Sequence, residues 1–131
     1  MRESDVQTKF NHYIKARWPK GRSAAFELKI VKGPSMPYTN VQDHQLAALN
    51  GSKNDKLVYK IPDAGLGRKP YDSFIMSGVE AYVVPIFWVE RQYTHAYLID
   101  IDVWLHEIAT SKRQSLTEER AIEIASEFMI L

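Results

Sequence analysis

Two hydrophobic periods alternate along the chain. Val6, Phe10, Tyr13 and Ile14 recur at helical spacing behind Ser4 and Gln7, a capping-box pair, and predict a helix over residues 5–17. Pro19 and Gly21 end it. The period then falls to two over residues 23–32: Phe26, Leu28 and Ile30 share one strand face, and Glu27 and Lys29 share the other. Gly33-Pro34 breaks that strand, and residues 35–38 read as extended chain. Asn40 as cap and Asp43 in the first turn open a short second helix over residues 41–50, which stops at Asn50-Gly51. Val41, Ala48 and Leu49 line its inner side with Leu46 beside them. Gln45 falls on or next to that side, where an amide needs a partner.

Residues 57–61 read as a strand, residues 62–70 as a Gly- and Pro-rich loop, and residues 71–76 as a returning strand. Residues 81–89 are almost continuously apolar, the signature of a central strand buried on both faces, with Pro85 marking a bulge or an end of pairing. Another strand is expected over residues 96–101. Asp100 or Asp102 then caps a helix carrying Val103, Trp104, Leu105 and Ile108, and a second capping box, Ser115 with Glu118, opens a final helix through Phe128. This order of elements predicts an α/β domain with a mixed sheet flanked by helices. No internal repeat interrupts it.

Length and composition narrow the chemistry. At 131 residues one domain, 1–131, is expected, and 45% hydrophobic content with three Trp, seven Tyr and five Phe implies a folded core. The absence of Cys excludes disulfides, thiolate zinc sites and cysteine nucleophiles, so any metal is held by oxygen or imidazole. His12, His44, His95 and His106 show no metal-ligand spacing. Without a long apolar run or a leader pattern, a soluble, cytoplasmic protein with no membrane contact is expected. The charge is unevenly spread: residues 1–72 hold 13 Lys and Arg against 7 Asp and Glu, net +6, and residues 73–131 hold 4 against 9, net −5. That asymmetry suggests a basic working face built from the first half.

Glu27 and Lys29, roughly 6–7 Å apart along one strand face, suit a single phosphate or metal ion. Phosphodiester hydrolysis needs a metal to activate water and a cation to stabilise developing charge. A second carboxylate is required. Asp72 is the candidate because it opens a strand behind a basic Gly-rich loop, with Asp63 in reserve. Lys20, Arg22, Lys60, Arg68 and Lys69 are the candidate nucleic-acid contacts. Trp88 and Trp104 are read as core.

In these residues the chain resembles the PD-(D/E)XK nuclease superfamily, with Glu27-Leu28-Lys29 in the position of its Glu-X-Lys element. Val41-Gln42-Asp43-His44-Gln45 is similar to the helix that follows this strand in RecU-type Holliday-junction resolvases and their phage relatives. Glu3 and Gln7, four apart, resemble the opening helix of the VRR-Nuc branch. The resemblance covers roughly residues 3–88. It implies a restriction-endonuclease-like fold, Mg²⁺ or Mn²⁺ as cofactor, cleavage of DNA (branched DNA above all) to leave a 5′-phosphate, and often a homodimer. Glu27 and Asp72 would hold the metal, Glu3 could join them, Lys29 would assist catalysis, and Gln45 would position Lys29 or the attacking water. One departure stands out: the superfamily's aspartate usually precedes the Glu-X-Lys strand, and here Glu3 and Asp5 are the only acids ahead of Glu27. Lys69-Pro70-Tyr71-Asp72 would then be a permuted equivalent of the Pro-Asp element. A nucleic-acid-binding module of the same fold that does not cut is the alternative; a protein-interaction domain using the acidic C-terminal helices is a third reading.

Overall fold

The computed structural model describes residues 3–61 and 72–131. Its elements in chain order are α1 (Glu3–Arg17), β1 (Ala24–Val31), β2 (Ser35–Pro37), a 3-10 turn (Tyr38–Asn40), α2 (Asp43–Asn54), β3 (Leu57–Lys60), β4 (Ser73–Met76), β5 (Glu80–Val89), β6 (Tyr93–Asp100), α3 (Ile101–Thr110), β7 (Ser115–Thr117), α4 (Glu118–Ile124) and β8 (Glu127–Ile130). Four strands form one sheet in the order β1-β5-β6-β8. β1 runs parallel to β5, and the other two pairings are antiparallel. The fold is therefore α/β with a mixed sheet, as the element order predicts. None of the described helices is long and apolar enough to cross a membrane.

The sheet separates two cores, and the period-two pattern decides which side chain joins which. On one face Tyr82, Val84 and Ile86 of β5 meet Ala96 and Leu98 of β6 and the buried Val6 and Phe10 of α1, with Phe26, Leu28 and Ile30 of β1 packed against them. On the other, Ala81, Val83 and Phe87 of β5 meet Tyr97 and Ile99 of β6, Leu49 of α2, Trp104 of α3 and Leu116 of β7. Strand β5 is apolar on both faces because both faces are covered. Pro85 interrupts its pairing with β6 without inserting a bulge: the ladder omits Val84 and Pro85 and resumes with Ile86↔Ala96 at the same offset as Val83↔Ile99.

Helix α2 departs from its expected limits. It starts later, with Gln42 as N-cap, because Asn40 belongs to the preceding 3-10 turn. It also continues through Gly51 to Asn54, past the expected stop. The last turn is held from a distance: Lys53 Nζ lies 2.7 Å from both Asp100 Oδ2 and Asp102 Oδ2, and Asn54 Nδ2 donates to Asp102 Oδ1 at 2.7 Å. These bonds outweigh the modest helix penalty of one glycine. The end of the chain differs as well. The final helix stops at Ile124 rather than reaching Phe128, and Glu127–Ile130 pairs with β6 as an edge strand. Thr117, not Ser115, caps α4, its side chain accepting from the Arg120 N–H.

Interleaving of the two halves also cancels part of the expected basic face. Arg22 donates from Nε to Glu80 Oε2 at 2.9 Å and from Nη2 to Glu127 Oε2 at 2.9 Å, and its guanidinium lies 4.1 Å over the Trp18 ring. The hydrogen bond from Arg22, helped by the Tyr82 hydroxyl and opposed by burial, brings the Glu80 carboxyl from 4.5 down to about 2. A carboxylate depressed in the folded state adds stability that is fully present above pH 4.5 and lost as pH falls through about 2. The melting temperature should therefore fall between these limits, and fall less in Glu80→Gln, when melts are followed by circular dichroism from pH 6 down to about 2. Equal acid sensitivity in the two proteins would remove Glu80 from this role.

Candidate functional site

Period two places Glu27 and Lys29 on the α2 side of β1, between Ala25 and Val31, opposite Val83 and Pro85 of β5. β1 is an edge strand, so this polar pair sits at the border of an otherwise apolar sheet. Both side chains are largely covered, at 27% exposure for Glu27 and 22% for Lys29. The Lys29 Nζ lies 3.4 Å from Glu27 Oε1, because the two long side chains lean towards each other. No other hydrogen bond or ion pair engages either side chain among the described residues. A carboxylate and an ammonium so placed can meet one anion or one cation-bound oxygen.

Helix α2 crosses this side of the sheet antiparallel to β1. Its last turn lies beside the start of β5, where the Val79 N–H donates to the Ser52 carbonyl and the Gly78 N–H to that of Lys53. The start of β1 is at the same end, since the Glu80 N–H donates to the Ser23 carbonyl. Gln45 lies seven residues before Ser52, in the first turn of the helix. The partner that the Gln45 amide required proves local: its Oε1 accepts the Gln42 N–H at 2.9 Å and closes the capping box. Its amide NH₂ has no hydrogen bond among the described residues. Gln45 is thus fixed at its oxygen, with its donors left for other use.

The remaining expected site residues are more scattered. Glu3 begins α1, which covers the opposite sheet face from the one that carries Glu27. Asp72 is exposed at the outer end of the β3–β4 hairpin, where its carbonyl accepts the Ile61 N–H at 2.7 Å. Asp63, Arg68 and Lys69 lie outside the described residues. Lys20 and Lys60 are exposed. Arg22 is committed to Glu80 and Glu127, so its charge is already neutralised within the fold. Among the described residues no three His, Asp or Glu side chains group into a metal-holding cluster. Oxygen donors from one or two carboxylates, completed by water, are what Mg²⁺ ordinarily takes. Glu27 meets the first part of that requirement.

Sequence reasoning passed over a second polar cluster. Glu118, at the start of α4, accepts from the Tyr97 hydroxyl at 2.6 Å and the Tyr93 hydroxyl at 3.2 Å, and lies 3.4 Å from His95 Nδ1. The only available signal was Tyr93, His95 and Tyr97 at period two, which placed three rings on one face; Glu118 arrives from a distant helix. No family model, curated protein or solved structure matches the chain.

Proposed function

We propose that this chain is a Mg²⁺-dependent DNA endonuclease with the restriction-endonuclease-like fold, acting on branched DNA as a cytoplasmic homodimer in recombination or phage DNA processing. The observation that carries the reading is the Glu27–Lys29 pair, 3.4 Å apart and largely covered on one face of an edge strand. Charged side chains this well covered are uncommon unless they are paired or functional. In the proposal Glu27 supplies a carboxylate oxygen for the metal, and Asp72, carried on the separate β3–β4 hairpin, is the candidate for the second. The ion, when bound, polarises the scissile phosphate and acidifies a water. Lys29 sets its ammonium against the charge that develops on the phosphate oxygens. Gln45, whose amide NH₂ has no hydrogen bond among the described residues, would offer its donors to position Lys29 or the water. Lys20 and Lys60, with Arg68 and Lys69, neutralise flanking phosphates; Arg22 is dropped from this group because two carboxylates already hold it.

The direct test is cleavage of a labelled four-way junction beside matched linear duplex, in Mg²⁺ or EDTA, with Asp72→Asn as the comparison. Metal-dependent nicking of the junction, lost in Asp72→Asn, supports the two-carboxylate site and the branched substrate. Equal cutting of both DNAs keeps the nuclease and removes the junction preference. Full activity of Asp72→Asn moves the second ligand elsewhere. Salt-sensitive binding with no cutting under either condition replaces the proposal with a non-catalytic DNA-binding module.

A further inference from the structure

We infer that the cleft between β6, β8 and α4 binds an organic cation, an alkylammonium or guanidinium group on an apolar stem. The cleft encloses about 570 Å³ and is lined by Tyr93, His95, Tyr97, Glu118, Ile122 and Phe128. That volume falls in the range of small-molecule sites. It lies on the same sheet face as Glu27 and Lys29 but two to three strands away, about 10–14 Å by strand spacing. The inference is therefore independent of the nuclease proposal.

Three observations select a cation. First, Glu118 is only 21% exposed yet lacks a Lys or Arg partner among the described residues, whereas the comparably covered Glu27, Asp100 and Glu107 each have one. Its contacts are two phenol hydroxyls and an imidazole nitrogen. A carboxylate offers about four lone-pair sites, so acceptor capacity remains, and its charge is unmatched whenever the His95 imidazole is neutral. Second, the surrounding rings form a continuous aromatic wall: Tyr93 stacks on His95 at 4.2 Å, and Phe128 lies 5.1 Å from His95 and 5.3 Å from Tyr97. Aromatic rings beside a carboxylate attract cations through the ring quadrupole as well as the charge. Third, the apolar rim is open, with Ile122 61% and Phe128 50% exposed, which suits an alkyl stem. Burial, and after it the Glu118 carboxylate, holds the Tyr97 hydroxyl above the usual phenol range, so it remains a donor to the anion.

The test is an NMR titration of the whole protein, following the ring signals of Tyr93, His95 and Tyr97. The probes are butylammonium and butylguanidinium, with butanol and butyrate as neutral and anionic counterparts. Saturable binding of the cations is expected on the order of millimolar, at least about tenfold tighter than butanol. Glu118→Gln, which keeps an oxygen for Tyr97, should erase that preference. Phe128→Ala, at a half-exposed edge position, should weaken the cations several-fold while leaving the melting curve close to that of the parent. Tighter binding of a capped lysine or arginine amide than of the bare alkyl cation would identify a polypeptide side chain as the source; equal or weaker binding would identify a free amine. Butanol binding as tightly as butylammonium, or no saturation by either cation, would overturn the inference without touching the cleavage result.

Discussion

Lys29→Ala is expected to remove metal-dependent DNA cleavage while the protein still folds and binds DNA. The ammonium is a cation aimed at one anionic site, and removing a transition-state charge partner of this kind costs about 10²–10³ in rate. Glu27→Ala should be at least as severe, because it deletes a proposed metal oxygen donor together with the partner of Lys29. Neither substitution should unfold the chain: both side chains lie at the border of an edge strand, and their mutual contact is the one ion pair either makes among the described residues. A partly exposed pair of this kind contributes little to stability. Single-turnover cleavage, filter binding and a thermal melt on the same preparations separate the outcomes. Undiminished cutting by either variant would sink the nuclease proposal. Loss of cutting together with loss of the folded melt would assign the pair a structural role instead.

The second large effect concerns stability. Trp104 is fully buried, packed edge-on against Tyr38 with ring centroids 5.5 Å apart, in the core between the sheet and α3. Trp104→Ala should cost about 3–5 kcal/mol, the usual range for emptying a large aromatic site. That is a large share of the 5–15 kcal/mol by which domains are typically stable. The indole Nε1 adds a twist, since it is buried with no hydrogen-bond partner among the described residues. A donor left unsatisfied carries a penalty of about 1–3 kcal/mol, so Trp104→Phe recovers part of what the smaller ring loses. Urea unfolding of the three proteins should rank the parent above Phe and Phe well above Ala. If Phe and Ala prove equally damaging, the indole N–H is satisfied in solution and the argument from its isolation fails.

Local pattern was sufficient for some elements and insufficient for others, and the division follows the range of the interactions. Helix α1, strand β1 with Glu27 and Lys29 on one face, the doubly buried β5 and an aspartate cap for α3 were legible, although Ser4 lies inside α1 rather than capping it and the choice of Asp100 over Asp102 came only with the structure. Each depends on residues within a turn or two of itself: Asp100, for instance, accepts from the Asp102 N–H at 2.8 Å. The C-terminal strand was not legible. Phe128 and Ile130 alternate with the buried Met129, but four residues are too few to tell strand from helix by period alone. Pairing with Tyr97 and His95 in β6 decided it.

The same distinction runs through the candidate sites. The sequence alone determined that an acid and a base share a strand face, that no cysteine chemistry is possible, and that an amide on α2 needs a partner. Only the tertiary structure decided that Glu27 and Lys29 close to 3.4 Å, that Gln45 satisfies its oxygen on its own helix, and that Arg22 is consumed by acids 58 and 105 residues away. It also brought Glu118 to the rings of β6, a meeting across more than twenty residues that no local spacing encodes. The physical reason is that backbone period is set by neighbours along the chain, whereas charge pairing is set by whichever groups the packed sheet brings within a few ångströms.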